Sequence, residues 1–211
     1  MTKSRTIFAL LLWLASAGAW AGAYEDFFRA VGSDDARTVS ALLGRGFDPN
    51  SVDERGQVGL YLALREGSPK VAESLLQQPD LRIDAANAAG ETPLMMAALR
   101  GRLDWCQRLL ARGSQVNREG WTPLQYAATG PEPKAVALML DSGARIDAAS
   151  PNRSTALMMA ARYGPEASIE LLIARGADPR LRNDKGLNAA DFARLAGRES
   201  LAKRLAKLTA S

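Results

Sequence analysis

The sequence predicts an all-α solenoid of about six stacked helix-turn-helix units, their tips formed by β-turn or hairpin fingers. Three observations predict it. A block reading Gly90-Glu-Thr-Pro-Leu-Met-Met-Ala-Ala98 returns as Gly120-Trp-Thr-Pro-Leu-Gln-Tyr-Ala-Ala128 and as Arg153-Ser-Thr-Ala-Leu-Met-Met-Ala-Ala161. A second block, rich in leucine and closed by glycine, follows at a fixed distance. The aligned Leu60, Leu94, Leu124 and Leu157 are spaced 34, 30 and 33 residues apart, the length of a helix pair with its turn.

In chain order, the first element is an address. Met1–Thr6 carries Lys3 and Arg5 and no acid, Ile7–Ala15 is apolar, and Ser16–Ala23 turns small. This is the layout of a secretory signal peptide over residues 1–23, with cleavage after Ala21 or Ala23. The apolar stretch is well short of the ~20 residues that span a bilayer, so an uncleaved anchor is the weaker alternative. Without Lys3 and Arg5 the formal charge falls from +4 to +2, with basic and acidic residues interspersed, which disfavours nucleic acid as a partner. The expected mature chain is soluble, monomeric and periplasmic, with secretion beyond the cell as the alternative.

Next, Tyr24–Arg29 reads as a capping first helix with Phe27 and Phe28 folded inward, and Asp34-Asp35 as a helix cap. The repeat domain then covers 24–211, in units near 24–52, 53–86, 87–117, 118–149, 150–182 and 183–208. Within a unit, Thr-Pro opens the first helix, because Thr accepts from free N–H groups and Pro tolerates the first helical position. Leu-x-x-Ala-Ala places one apolar face along it, and the alanines permit close approach. Pro69, Pro133 and Pro165 mark starts of second helices. Gly46, Gly113, Gly143 and Gly176 mark their left-handed ends. The last helix carries Glu199, Lys203, Arg204 and Lys207 as a charged outer side.

With the blocks Leu109-Leu110-Ala-Arg-Gly-Ser-Gln-Val-Asn117 and Leu172-Ile173-Ala-Arg-Gly-Ala-Asp-Pro-Arg180 added, the chain resembles the ankyrin-repeat family over roughly residues 24–208. Two departures stand out. The histidine usual after Thr-Pro-Leu is replaced by Tyr61, Met95, Gln125, Met158 and Asp191, so the bridge it makes between units is expected to be missing and replaced by packing. The interval from helix-end Gly to finger tip is ten residues for Gly46 to Gly56, Gly143 to Arg153 and Gly176 to Gly186, but seven for Gly113 to Gly120. A notch is expected there, beside Trp121.

The resemblance implies a protein-binding surface on fingers and first helices. Carried over position by position, it comprises Arg55, Gln57, Arg65 and Glu66, with Glu54; Glu91, Leu99 and Arg100, with Ala88 and Ala89; Arg118, Glu119 and Trp121; and Asn152, Arg153, Arg162 and Tyr163, with Ser154. Trp121, Tyr163, Arg100 and Arg162 are the expected anchors, since interface energy concentrates in Trp, Tyr and Arg. Trp121 either meets a partner or packs on the shortened turn.

Chemistry finds little to work with. The chain has no histidine and one cysteine, which removes the usual general base, the usual metal ligand and any intramolecular disulfide. No catalytic, cofactor-binding or metal-binding residue is assigned. Cys106 reads as a buried, inert thiol. The pairs Met95-Met96 and Met158-Met159, with Met139, read as core filling. The expected function is a non-catalytic interaction module in the periplasm, serving toxin immunity or oxidative-stress protection. The alternatives are metal handling or oxidant scavenging by methionines, or a secreted effector that binds a host protein.

Overall fold

The computed structural model describes residues 22–210. They fall into two compact units divided between Arg82 and Ile83.

The first unit holds four helices: α1 over residues 22–32, α2 (Ala36–Gly44), α3 (Gly59–Glu66) and α4 (Pro69–Leu76). Phe27 is fully buried, stacked on Phe47 with ring centroids 4.6 Å apart. A Cβ on Gly59 would stand 2.9 Å from the Phe27 ring, so the ring occupies the space that a glycine leaves. Phe28 is only half-buried, contrary to expectation: it meets Phe27 edge-on from the rim of the core. The acidic pair divides its work. Asp35 caps α2 by accepting from the Thr38 amide and hydroxyl, and these bonds hold its carboxyl below the usual range. Asp34 reaches the next helix pair, where it accepts from the Val71 amide at 3.0 Å.

The second unit holds four helix pairs: α5 (Pro93–Leu99) with α6 (Leu103–Ala111), α7 (Pro123–Thr129) with α8 (Pro133–Asp141), α9 (Ala156–Tyr163) with α10 (Glu166–Ala174), and α11 (Ala189–Leu195) with α12 (Glu199–Ala210). The first helices α5, α7, α9 and α11 pack side by side in one row, and α6, α8 and α10 form a second row behind them. Leu94, Leu124 and Leu157, aligned in sequence, are all buried along the first row. One such pair cannot bury its apolar face alone, so each neighbour supplies the other half of the core. The all-helical ankyrin-repeat solenoid is the fold.

The expected caps are present. Thr92, Thr122 and Thr155 each accept from the backbone N–H three residues on, and Asn188 does the same in the last pair. The second helices end at Gly46, Gly113, Gly143 and Gly176 with φ of 88°, 91°, 87° and 92°. Pro165 differs from Pro69 and Pro133: it is the N-cap residue of α10 and not its first helical residue.

The inter-unit bridge expected to be missing is present at Gln125. Its Nε2 donates to the carbonyls of Ala148 and Ser154, at 2.9 and 2.8 Å. Its Oε1 accepts from the Thr122 amide at 2.9 Å. A carboxamide has both donor and acceptor ends, so it can do what the family's imidazole does. A second bridge recurs behind the fingers. Asn50 accepts from the Arg82 amide, Asp84 from Gln115, Asn117 from Arg145 and Asp147 from Asp178.

Candidate functional site

The full-length fingers are built alike. The polar residue that opens each finger, Asp53, Asn87 or Asn183, accepts two backbone N–H bonds from the residues that follow. Ser150 and Asn152 share this task in the fifth finger. The tip residue is left-handed in each: Gly56, Gly90, Arg153 and Gly186. Arg153, at φ 59°, holds a backbone conformation that a side chain disfavours, so the tip is both strained and exposed. The fourth finger, three residues shorter, has none of these closing bonds among the described residues. The predicted notch is there, as an open cleft of about 630 Å³ lined by Arg118, Glu119, Arg145 and Asp147.

Two further clefts lie over the first-helix row. One, of about 270 Å³, is lined by Leu99, Trp121, Gln125, Tyr126, Thr129 and Met159. The other, of about 220 Å³, includes Trp121, Met159, Arg162, Tyr163, Phe192 and Leu195. Trp121 and Met159 line both, so the two hollows form one continuous trough across α7, α9 and α11.

The trough follows from helical register. Tyr126, Met159 and Phe192 stand four residues after the cap of their respective helices, and Thr129, Arg162 and Leu195 stand three further on. Residues three apart on a helix share a face, so the repeat stacks these side chains into two adjacent columns. Leu99 extends the second column onto α5.

The aromatic floor is held from beneath. Trp121 meets Tyr126 edge-on, with centroids 6.5 Å apart and planes at 89°. The Tyr126 hydroxyl donates to Glu91 Oε1 at 2.7 Å, and the Asn87 amide donates to Glu91 Oε2 at 2.8 Å. Glu91, expected at the partner surface, is thus engaged in placing Tyr126. Trp121 is half-buried: it packs on Tyr126 of α7 and presents its remaining surface to the trough.

Of the other sequence-predicted residues, Leu99, Asn152, Arg162 and Tyr163 line the trough. The Arg162 guanidinium lies 5.1 Å from the centre of the Tyr163 ring, which is 55% exposed. Arg100 is the exposed residue that caps the end of α5 beside Leu99. Arg118 and Glu119 line the notch instead. Arg55, Gln57, Arg65 and Glu66 belong to the first compact unit, where Arg65 donates to Gln57 and to Glu66 at 2.8 and 2.7 Å. Arg55 is exposed at its finger.

Sequence reasoning missed the contribution of the last repeat: Lys185 and Leu187 on its finger, Phe192 and Leu195 on α11. A signal was available. The register that aligns Asp191 with Met95 and Met158 also aligns Leu195 with Leu99 and Arg162.

Chemically the trough offers apolar cover and positive charge. The Cys106 thiol is fully buried and burial pushes its pKa up to about 12. Met95, Met139 and Met158 are sealed in the core, while Met159 is half-exposed in the trough. Among the described residues no cluster of three or more His, Cys, Asp or Glu could hold a metal ion. No described helix is long and apolar enough to cross a membrane. The leader predicted over residues 1–23 lies almost wholly outside the described residues.

The family model "Ankyrin repeats (3 copies)" matches residues 27–119, 81–150 and 113–183. The chain is 32% identical over 161 residues to the nuclear factor NF-kappa-B p105 subunit of Gallus gallus, covering 73% of this chain and 16% of that protein. It is 30% identical over 188 residues to NF-kappa-B inhibitor delta of Mus musculus, covering 73% of this chain and 57% of that one. The match to the B-cell lymphoma 3 protein homolog of Mus musculus spans 34% of its length, so the first relatives are matched over about a third of their length or less. Among solved structures, a chain from the complex of the Bd0816 predatory endopeptidase from Bdellovibrio bacteriovorus with immunity protein Bd3460 is similar with a TM-score of 0.73. That match has 31% identity and covers 86% of this chain and 97% of the other. With the repeat motifs, the stacked helix pairs and these matches in agreement, the chain belongs to the ankyrin-repeat family.

Proposed function

We propose that this chain is a non-catalytic protein-docking module of the periplasm, and that it acts as an immunity-type factor that binds and neutralises a hydrolase aimed at the envelope. Ankyrin repeats are protein-binding modules, and the trough centred on Trp121 is the docking surface. The observation that carries the immunity reading is the likeness to a chain from an endopeptidase–immunity protein complex, which extends over nearly the whole of that chain. The sequence favours binding over chemistry: it has no histidine, and its one thiol is buried. Export rests on the three-part pattern of residues 1–23, and amino-terminal sequencing of the protein from a periplasmic fraction should begin at Gly22 or Tyr24.

The test is affinity capture from an envelope extract with the C-terminally tagged chain, beside a Trp121→Ala, Leu195→Ala variant checked for native helicity. The expected result is a hydrolase that the parent retains, the variant loses, and the purified parent inhibits. A non-hydrolase partner would remove the immunity reading. A hydrolase retained equally by both chains would move docking away from the trough.

A further inference from the structure

The trough carries a charge asymmetry that narrows what fits in it. Most of its lining is apolar: Trp121, Met159 and Phe192 form the floor, and Tyr163 and Leu195 stand 55% and 58% exposed. Contiguous apolar surface left in water marks a contact site. The charged side chains that line it among the described residues, Arg162 on α9 and Lys185 on the last finger, are both cations. Neither forms an ion pair among the described residues; Arg162 lies over Tyr163 instead. The neighbouring acids are engaged or do not line the trough. Asp191 is held by Arg194 at 2.7 Å and lies 3.8 Å from Arg182. Glu91 is held by Tyr126, and Asp184, next to Lys185, does not line the trough. The backbone at Lys185 is fixed, since its own amide and that of Leu187 donate to Asn183 Oδ1 at 3.0 Å each.

Resting on the docking reading above, we infer that the trough takes an extended segment of the partner in which a large apolar side chain stands close to Asp or Glu. The apolar side chain covers the Trp121 indole and Met159. The carboxylate pairs with Arg162 or Lys185, which lose water as the segment docks and then need an anion. A basic segment meets two uncompensated cations and is rejected, so the charge sets the choice of partner more than the affinity.

The probe is a random ten-residue peptide library displayed on phage and selected on the full chain. Selections on Trp121→Ala, on Lys185→Glu and on the Arg162→Glu, Lys185→Glu variant run in parallel, each checked for native helicity. The expected outcome is enrichment of peptides with a large apolar residue close to Asp or Glu. They should lose about tenfold or more in affinity with the double reversal, and less with Lys185→Glu alone. Basic apolar peptides should emerge on the reversed variant. Peptides that need Trp121 but ignore both charge changes would overturn the inference and leave the trough as the docking site. Peptides indifferent to Trp121 as well would overturn both. A library that yields nothing would overturn the claim that an extended segment is what binds.

Discussion

Gln125 reaches across a repeat boundary to Ser154, its Nε2 donating to that carbonyl at 2.8 Å and to Ala148 at 2.9 Å. The side chain is 1% exposed, so water cannot replace these bonds. Gln125→Leu should therefore destabilise the protein by about 2–3 kcal/mol, since it leaves the Ala148 carbonyl and the Thr122 amide unmet and leaves the Ser154 carbonyl only its bond from the Ser150 amide. Gln125→His should cost less, because imidazole retains a donor. Urea unfolding of the three proteins checks this, and equal midpoints for parent and Gln125→Leu would show that the bridge contributes nothing.

Gly130 and Gly143 are both glycines at helix ends, but for different reasons. At Gly130, φ is −73°, which any residue can adopt, and a Cβ would stand 2.6 Å from the carbonyl oxygen of Ala98. Gly164 is tighter still against Ala128. At Gly143 the space is open and φ is 87°. Gly130→Ala should cost about 1–3 kcal/mol by forcing neighbouring helices apart. Gly143→Ala should cost about 1 kcal/mol through backbone strain. Thermal unfolding should rank Gly164→Ala and Gly130→Ala below Gly143→Ala, and the opposite order would refute the packing argument.

Asp147 accepts from the Asp178 amide at 3.2 Å where Asn50 and Asn117 occupy the equivalent finger positions. Burial raises its carboxyl above the ordinary value, with a further push from the Asp178 charge. A carboxyl raised in the folded state weakens the fold when it is ionised, and that penalty fades as pH falls through the folded value. Asp147→Asn should therefore raise the melting temperature at pH 7, by an amount worth roughly 0.5–1.5 kcal/mol if the amide also finds a carbonyl. The advantage over the parent should shrink as pH falls toward the ordinary carboxylate value of 3.8. A difference that does not change with pH would exclude ionisation as its cause.

Cys106 is fully buried, and burial pushes its thiol up to about 12. The folded protein should resist a thiol reagent at pH 8, where a free cysteine reacts readily, and should be labelled fully in denaturant. Labelling of the folded chain at the denatured rate would overturn the inert assignment.

Much of this was legible in the sequence. Thr-Pro openings, alanine pairs and helix-end glycines are local devices, and each works through the backbone within a few residues of itself. That is why caps at Thr92, Thr122 and Thr155 and left-handed ends at Gly113 and Gly143 appear where the motifs stand. The notch is legible for the same reason: Gly113 and Gly120 are too close in the chain to enclose a full finger.

What only the tertiary structure decided depends on neighbours about thirty residues away. The sequence contains Gln125 but not the carbonyls of Ala148 and Ser154 that it meets, so a missing histidine reads as a missing bridge. Glu91 reads as a free surface acid until stacking brings Tyr126 to it. Leu195 reads as the end of a degenerate repeat until α11 lies beside α9 and extends an apolar column past Tyr163. Helix starts and ends follow from short-range sterics and hydrogen bonding, which the sequence determines by itself. The trough arises where side chains from successive repeats converge, and that convergence exists only once the helices have packed.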